Sequence, residues 1–150
     1  MFLISACLCG VNCKYNGLNN YNEKCSELFK EGKAILICPE QLGGLSTPRV
    51  PSELKGSAND ILNGKGKIMT KDGDDVTLQF IKGAKEVKRI VEEVPITMAI
   101  LKDGSPSCGV NYVYDGSFSG NKIEGKGITA EILNEMGIKV LSEKDLEVIE

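Results

Sequence analysis

A chain of 150 residues, 41% hydrophobic and 26% charged, has the size and make-up of one domain able to bury its own core, so residues 1–150 are read as a single domain. Its net charge of −3, its pI near 5.2 and a basic complement that is nearly all Lys, with Arg49 and Arg89 the only arginines, exclude a duplex-binding footprint. Aromatic residues make up 5% and Trp is absent, which argues against a stacking surface for single-stranded nucleic acid.

Met1 to Cys7 is a short apolar run that reads as a buried strand. Leu8 to Asn22 carries Gly and Asn clusters and reads as a loop. Asn22 to Lys33 reads as a helix capped by Asn22 and closed at Gly32. Ala34 to Cys38 is a second buried strand, stopped by Pro39. Gln41 to Ser57 holds Gly43, Gly44, Pro48 and Pro51 and is expected to be a long irregular loop, of the kind that carries function. Asn63 to Lys71 suggests a strand with an Asp72-Gly73 turn. Asp75 is the expected N-cap of a helix whose apolar positions, from Val76 to Val94, recur at three- and four-residue steps until Pro95 ends it. Ile96 to Leu101 is a third buried strand, leading into Lys102-Asp-Gly-Ser-Pro-Ser-Cys-Gly109. Val110 to Tyr114 reads as a short extension or edge strand. Gly116 to Gly127 reads as a Gly-rich loop, Thr129 to Met136 as a helix closed by Gly137, and Ile138 to Leu141 as a fourth strand. Ser142 is the expected cap of a short acidic helix.

Strands alternate with helices, and three strands are continuously apolar, as parallel strands covered on both faces are. The expected fold is therefore α/β, a three-layer doubly wound sheet of the Rossmann or flavodoxin kind, mainly parallel. Ligands in such sheets sit beyond the carboxyl ends of the strands.

No apolar run approaches the length of a membrane span, and residues 1 to 9 lack the features of a signal peptide. The expected compartment is the cytoplasm, where six cysteines point to metal binding or thiol chemistry before disulfides. The expected partner is a small molecule, with no duplex nucleic acid and no membrane, and the chain is expected as a monomer or weak homodimer. There is no His, so Ser-His and Cys-His nucleophile pairs are excluded. Acid–base work falls to carboxylates, Lys, Tyr, thiols or water.

Cys7, Cys38 and Cys108 each follow an apolar strand and precede a Gly- or Pro-containing loop. In a parallel sheet these positions converge on one edge, although 31 and 70 residues separate them. A single Cys at a strand end is usually a small core residue; three at successive strand ends favour chemistry. Cys25, in a polar helix, reads as inert. Cys9 and Cys13 lack the C-x-x-C spacing of zinc ribbons and ferredoxins and stand as auxiliary or inert thiols. Zinc prefers four protein ligands in a structural site. Thiolates suit an iron–sulfur cluster, and a [4Fe–4S] cube on three cysteines keeps one iron free for substrate.

Ser5-Ala-Cys-Leu-Cys-Gly10 with Lys14-Tyr-Asn-Gly17, Cys38-Pro-Glu-Gln-Leu-Gly-Gly-Leu-Ser-Thr-Pro-Arg49 and Ser105-Pro-Ser-Cys-Gly109 together resemble the thiouracil desulfurase (desulfidase) family. Asp75-Val-Thr-x-x-Phe-x-x-Gly-Ala84 and Tyr114-Asp-Gly116 look like its pattern too, so the resemblance spans nearly the whole chain. It implies a [4Fe–4S] cluster on Cys7, Cys38 and Cys108. It also implies desulfuration of a thiolated nucleobase to uracil and sulfide, with the open iron receiving the substrate sulfur, and catalytic positions at Glu40 and Ser105. Cys9 departs from the pattern, standing where an aliphatic residue is expected.

Glu40, two residues after Cys38, is the candidate general acid–base; a loop-capping carboxylate is the plainer alternative. Ser105, before Ser107, is the candidate donor to substrate or cluster sulfur, against an ordinary Ser-Pro turn. Gly43-Gly44 offers a close backbone approach to a ligand or a plain turn. Arg49 reads equally as an anion or carbonyl contact and as a surface residue. Tyr15 and Tyr114 read as core before base-stacking groups. Gly125-Lys-Gly127 lacks P-loop spacing and is a weak phosphate candidate. The competing functions are a zinc-binding structural or interaction module and a thiol redox protein using Cys7, Cys9 or Cys13.

Overall fold

The structure, a computed structural model, describes residues 1–149. Four short apolar segments form its centre: β1 (Phe2–Ser5), β2 (Ala34–Ile37), β5 (Met98–Leu101) and β8 (Lys139–Ser142). They make one all-parallel sheet in the order β2-β1-β5-β8, with Phe2 opposite Ala34 on one side and Met98 on the other. The chain runs from β1 to β2 on one side and later to β5 on the other. The sheet therefore reverses direction of growth at β1, which is where open α/β sheets bind ligands.

Alternate residues feed opposite faces. Leu3, Ala99 and Leu101 pack with Val87 of α4 (Thr77–Glu93) and with Ala130 and Leu133 of α5 (Ile128–Glu135). Ile4 and Ile100 pack with Cys25 and Leu28 of α1 (Glu23–Lys30) and with Leu146. That is the expected three-layer α/β arrangement. Asn22 caps α1, its side chain accepting from the Cys25 N–H at 3.1 Å.

The middle of the chain is more structured than its sequence suggests. The sequence predicts an irregular loop over 41–57, but Pro39 opens a one-turn helix, α2 (Pro39–Leu42), and Ser52–Lys55 forms β3. Pro is well suited to the first helical position because its missing N–H is not needed there. The strand expected over 63–71 is shorter, β4 (Lys67–Thr70), pairing antiparallel with β3, and α3 (Ala58–Leu62) precedes it. Residues 116–127 likewise contain β7 (Lys122–Glu124), which forms a hairpin with β6 (Tyr112–Tyr114). These pieces close over a separate apolar cluster that includes Leu54, Ile61, Ile68, Phe80 and Val113.

Two helix signals act differently from expectation. The Asp75 carboxylate accepts from the Thr77 N–H at 2.9 Å, but Val76 is the cap residue and the helix begins at Thr77. Ser142 belongs to β8; its hydroxyl donates to Asp145 at 2.9 Å, ahead of a single 3₁₀ turn at Leu146–Val148. Among the described residues no helix is long and apolar enough to cross a membrane.

Candidate active site

The carboxyl ends of β1, β2 and β5 open into a cavity of about 510 Å³. Cys7 enters it from the 3₁₀ turn Ala6–Cys9 after β1, Cys38 from the junction of β2 with α2, and Cys108 from the loop after β5. Cys13 joins them, buried in the loop after the 3₁₀ turn. Cys9 and Cys25 do not line the cavity; both sit in or against the α1 side of the core.

Cys13 is the centre of the thiol group. Its thiol lines the cavity beside Cys7 and Cys38, and the Cys38 thiol donates to the Cys13 carbonyl at 3.8 Å. The Cys13 side chain, with help from the Asn20 amide at 3.4 Å, outweighs burial and holds Cys7 down to about 7. The same Cys13 side chain lowers Cys38. Cys13 is raised in exchange, because its contacts with Cys38 and then Cys7, together with burial, favour its protonated form. Burial raises Cys108 strongly, pushes Cys25 to about 12 and Cys9 to about 11. Cys7 and Cys38 are thus the thiols nearest the thiolate form that metals require. Among the described residues no three thiol or carboxylate groups close around a point as one bound metal ion requires.

Glu40 lies in the first turn of α2, which aims its carboxylate back toward the strand ends. One carboxylate oxygen receives the Cys38 thiol at 3.9 Å; the other receives the Ser105 hydroxyl at 3.4 Å and faces Arg49 Nη2 at 3.7 Å. The side chains of Arg49 and Glu40 are only 11% and 12% exposed, so Arg49 is not a surface residue. It also donates to the Cys13 carbonyl at 3.1 Å, tying the α2–β3 connection to the cysteine loop.

Ser105 and Ser107 have separate surroundings. Ser105 faces Glu40 and its hydroxyl oxygen also accepts from the Ser107 and Cys108 N–H groups, both at 3.1 Å. The fully buried Ser107 hydroxyl pairs with Thr129 at 2.7 Å, away from the cavity. Tyr15 and Tyr114 both line the cavity; Tyr15 is 43% exposed and Tyr114 meets Tyr112 edge-on.

The glycines serve backbone packing. A Cβ on Gly43 would lie 2.0 Å from the Gln79 carbonyl oxygen, and one on Gly83 would lie 1.9 Å from that of Pro39. This pair lets α2 rest directly on α4, so the close approach at Gly43 is to protein and not to a ligand. Gly127 does the same for the Ser107 backbone, where a Cβ would sit 2.4 Å from the carbonyl carbon. Gly127 is thus a packing device for the Cys108 loop, whereas a Cβ on Gly125 would make only an ordinary contact with the Val113 side chain.

Three features were not read from the sequence. Asp103 is 3% exposed, and its carboxylate accepts from the N–H groups of Gly104, Val110, Asn111 and Tyr112 and from the Asn111 amide. Burial alone raises such a carboxyl, but these donors outweigh it and hold Asp103 below its ordinary value. The Lys102 ammonium lines the cavity and pairs with Glu143 at 2.8 Å. Burial pulls it down, and the Glu143 carboxylate more than reverses that. Phe118, at the tip of the β6–β7 hairpin, also lines the cavity and has φ +56°, a left-handed conformation costing about 1–2 kcal/mol for a residue with a side chain.

The family model for 2-thiouracil desulfurase matches residues 2–145. YbbK of Bacillus subtilis (strain 168), an uncharacterized protein, is 46% identical over 147 residues, which is 97% of each chain. The solved structure of the [4Fe-4S]-dependent thiouracil desulfidase TudS superposes with a TM-score of 0.88 at 37% identity, covering 99% of this chain and 93% of that one. A match of that extent, carried by motifs that meet in one cavity, means that the chain belongs to the 2-thiouracil desulfurase family.

Proposed function

We propose that this protein is a cytoplasmic [4Fe–4S]-dependent desulfurase, one domain over residues 1–150, that converts thiolated nucleobases such as thiouracil into the oxygen base and sulfide. It acts on a small molecule, as a monomer or weak homodimer. The observation that carries the reading is the meeting of Cys7, Cys38 and Cys108 with Glu40 and Ser105 in one cavity, although they come from three separate strand ends. A volume of about 510 Å³ suits a small heterocycle.

Cys7, Cys38 and Cys108 would hold the cluster. The donor set fits: all three are soft thiols in the turns and loops that follow the strands. Cys7 and Cys38 already lean toward the thiolate, and Cys108, raised by burial, would give up its proton on binding. When bound, the cluster supplies a soft Lewis acid with an affinity for sulfur. The protein's own groups manage the proton. A water adds to the thiocarbonyl carbon as the carbon–sulfur bond breaks, so the reaction is a hydrolysis with no net electron transfer. Glu40 takes one proton from that water and returns it to the departing sulfur. The second proton leaves the oxygen as the carbonyl forms, so that the sulfur departs as hydrogen sulfide or as hydrosulfide plus a proton released to solvent. Ser105 and Arg49 hold the Glu40 carboxylate in place. The loop built on Asp103 keeps Ser105 and Cys108 in register with it.

A thiol redox role is the second reading, favoured by the meeting of the free cysteines Cys7, Cys13 and Cys38 in one cavity. The test is an anaerobic assay of protein reconstituted with iron and sulfide, supplied with 2-thiouracil. The proposal expects uracil and sulfide in equal amounts, and no turnover without the cluster. Protein that carries a full cluster yet releases no sulfide from any thiolated base defeats it. A reversible disulfide among Cys7, Cys13 and Cys38 as the only chemistry would favour the second reading.

A further inference from the structure

Phe118 is the one non-glycine residue with a positive φ among the described residues. Glycine adopts that conformation without strain. A ring kept there against the backbone's preference asks for a reason, and such outliers concentrate at functional sites.

Packing does not supply the reason. Phe118 is half-buried but belongs to none of the three apolar clusters of the core. Phe118 lines the same cavity as Cys7, Cys38 and Glu40. The hairpin tip that carries it is fixed by β3, whose Glu53 also lines the cavity. One oxygen of Glu53, on β3, accepts from the Gly116 N–H at 2.9 Å and from the Phe118 N–H at 3.1 Å. The tip rests on β3 so closely that a Cβ on Gly116 would lie 2.7 Å from the Leu54 carbonyl oxygen. Asp115 stiffens the turn by accepting from the Ser117 N–H at 3.0 Å.

We infer that Phe118 is a specificity-determining residue, the aromatic face against which a planar pyrimidine-type ring is held in the cavity, with Glu53 as the positioning residue that fixes its strained backbone. The identity of that ring rests on the desulfuration reading; the preference for a flat aromatic ligand rests on the hairpin. A fixed ring costs less ordering on binding than a mobile one, which is the advantage of strain pre-set by Glu53.

The test is calorimetric binding of uracil to anaerobically prepared protein and its F118G, F118L and F118Y variants, with Tm measured for each. F118G should bind uracil about tenfold more weakly, as expected for a lost base–aromatic stack, while its Tm does not fall, because glycine is at ease at φ +56°. F118Y should bind like the parent, and F118L several-fold more weakly. F118G or F118L binding uracil as tightly as the parent overturns the inference. So does a parent that binds no uracil, or a fall in F118G Tm that matches its loss of binding, which would make the ring a packing element. Turnover of 2-thiouracil is measured in parallel. A cluster-bearing parent that binds uracil but releases no sulfide defeats the desulfuration reading and leaves the role of Phe118 standing.

Discussion

The Ser105 hydroxyl donates to the Glu40 carboxylate at 3.4 Å, although 65 residues separate the two in sequence. The contact exists because β2 and β5 flank β1, so α2 and the loop after β5 overhang the same cavity. Glu40→Gln should therefore lower kcat by at least about a hundredfold, the usual scale for a lost acid–base group. The cluster absorbance should survive. A variant with full turnover, measured as sulfide release, would remove Glu40 from the mechanism.

Ser105→Ala removes a donor to Glu40 and the acceptor for the Ser107 and Cys108 N–H groups. Turnover should fall about tenfold or more, with a stability loss of about 1 kcal/mol per hydrogen bond broken. Ser107→Ala, in contrast, orphans the Thr129 hydroxyl and should cost stability with little effect on KM. Chemical denaturation and steady-state kinetics on both variants separate the two serines.

Asp103 gives a pH dependence of known sign. Its folded-state pKa lies below the ordinary carboxyl value of about 3.9. Its contribution is therefore present above that value and is lost as pH falls through the folded-state pKa. Asp103→Asn should cost about 3 kcal/mol at neutral pH, because its added N–H₂ meets donors, and should flatten the acid limb of stability. Hydrogen exchange of the amides at 104 and 110–112 should quicken in the variant. Unchanged protection there would mean that the loop does not depend on this carboxylate.

Gly83→Ala presses a methyl group into the Pro39 carbonyl oxygen. Overpacking of this kind costs about 1–3 kcal/mol. Relief comes from moving α2, so kcat should drop along with stability. A variant destabilised to that degree yet fully active would show that the seat of Glu40 tolerates the shift.

The sheet was legible because β1, β2 and β5 are unbroken apolar runs, each ended by a loop signal. That legibility extended to the convergence of Cys7, Cys38 and Cys108 on one cavity, since parallel topology alone brings successive strand ends together. β3, Ser52-Glu-Leu-Lys, and β7, Lys122-Ile-Glu, were not legible. Each is a short polar strand in a two-stranded pair, so little apolar alternation marks it; β3 turns only Leu54 fully inward. Pro39 reads as a stop in the sequence, and its equal fitness as a helix start is visible only with α4 beneath it. The part played by Asp103 was hidden because its donors lie up to nine residues ahead in an irregular loop with no period. Cys13 gave no spacing signal, and only the fold turns it toward Cys7 and Cys38 instead of toward the core beside Cys25.

The most direct test of the cysteine assignment counts iron and inorganic sulfide per chain after anaerobic reconstitution of Cys7→Ala, Cys38→Ala, Cys108→Ala and Cys9→Ala. The parent and the Cys9 variant should hold about four irons with matching sulfide, and each of the other three should lose the cluster or hold it in a labile, substoichiometric form. A stable complement of about four irons in the Cys7, Cys38 or Cys108 variant would contradict the assignment of that thiol.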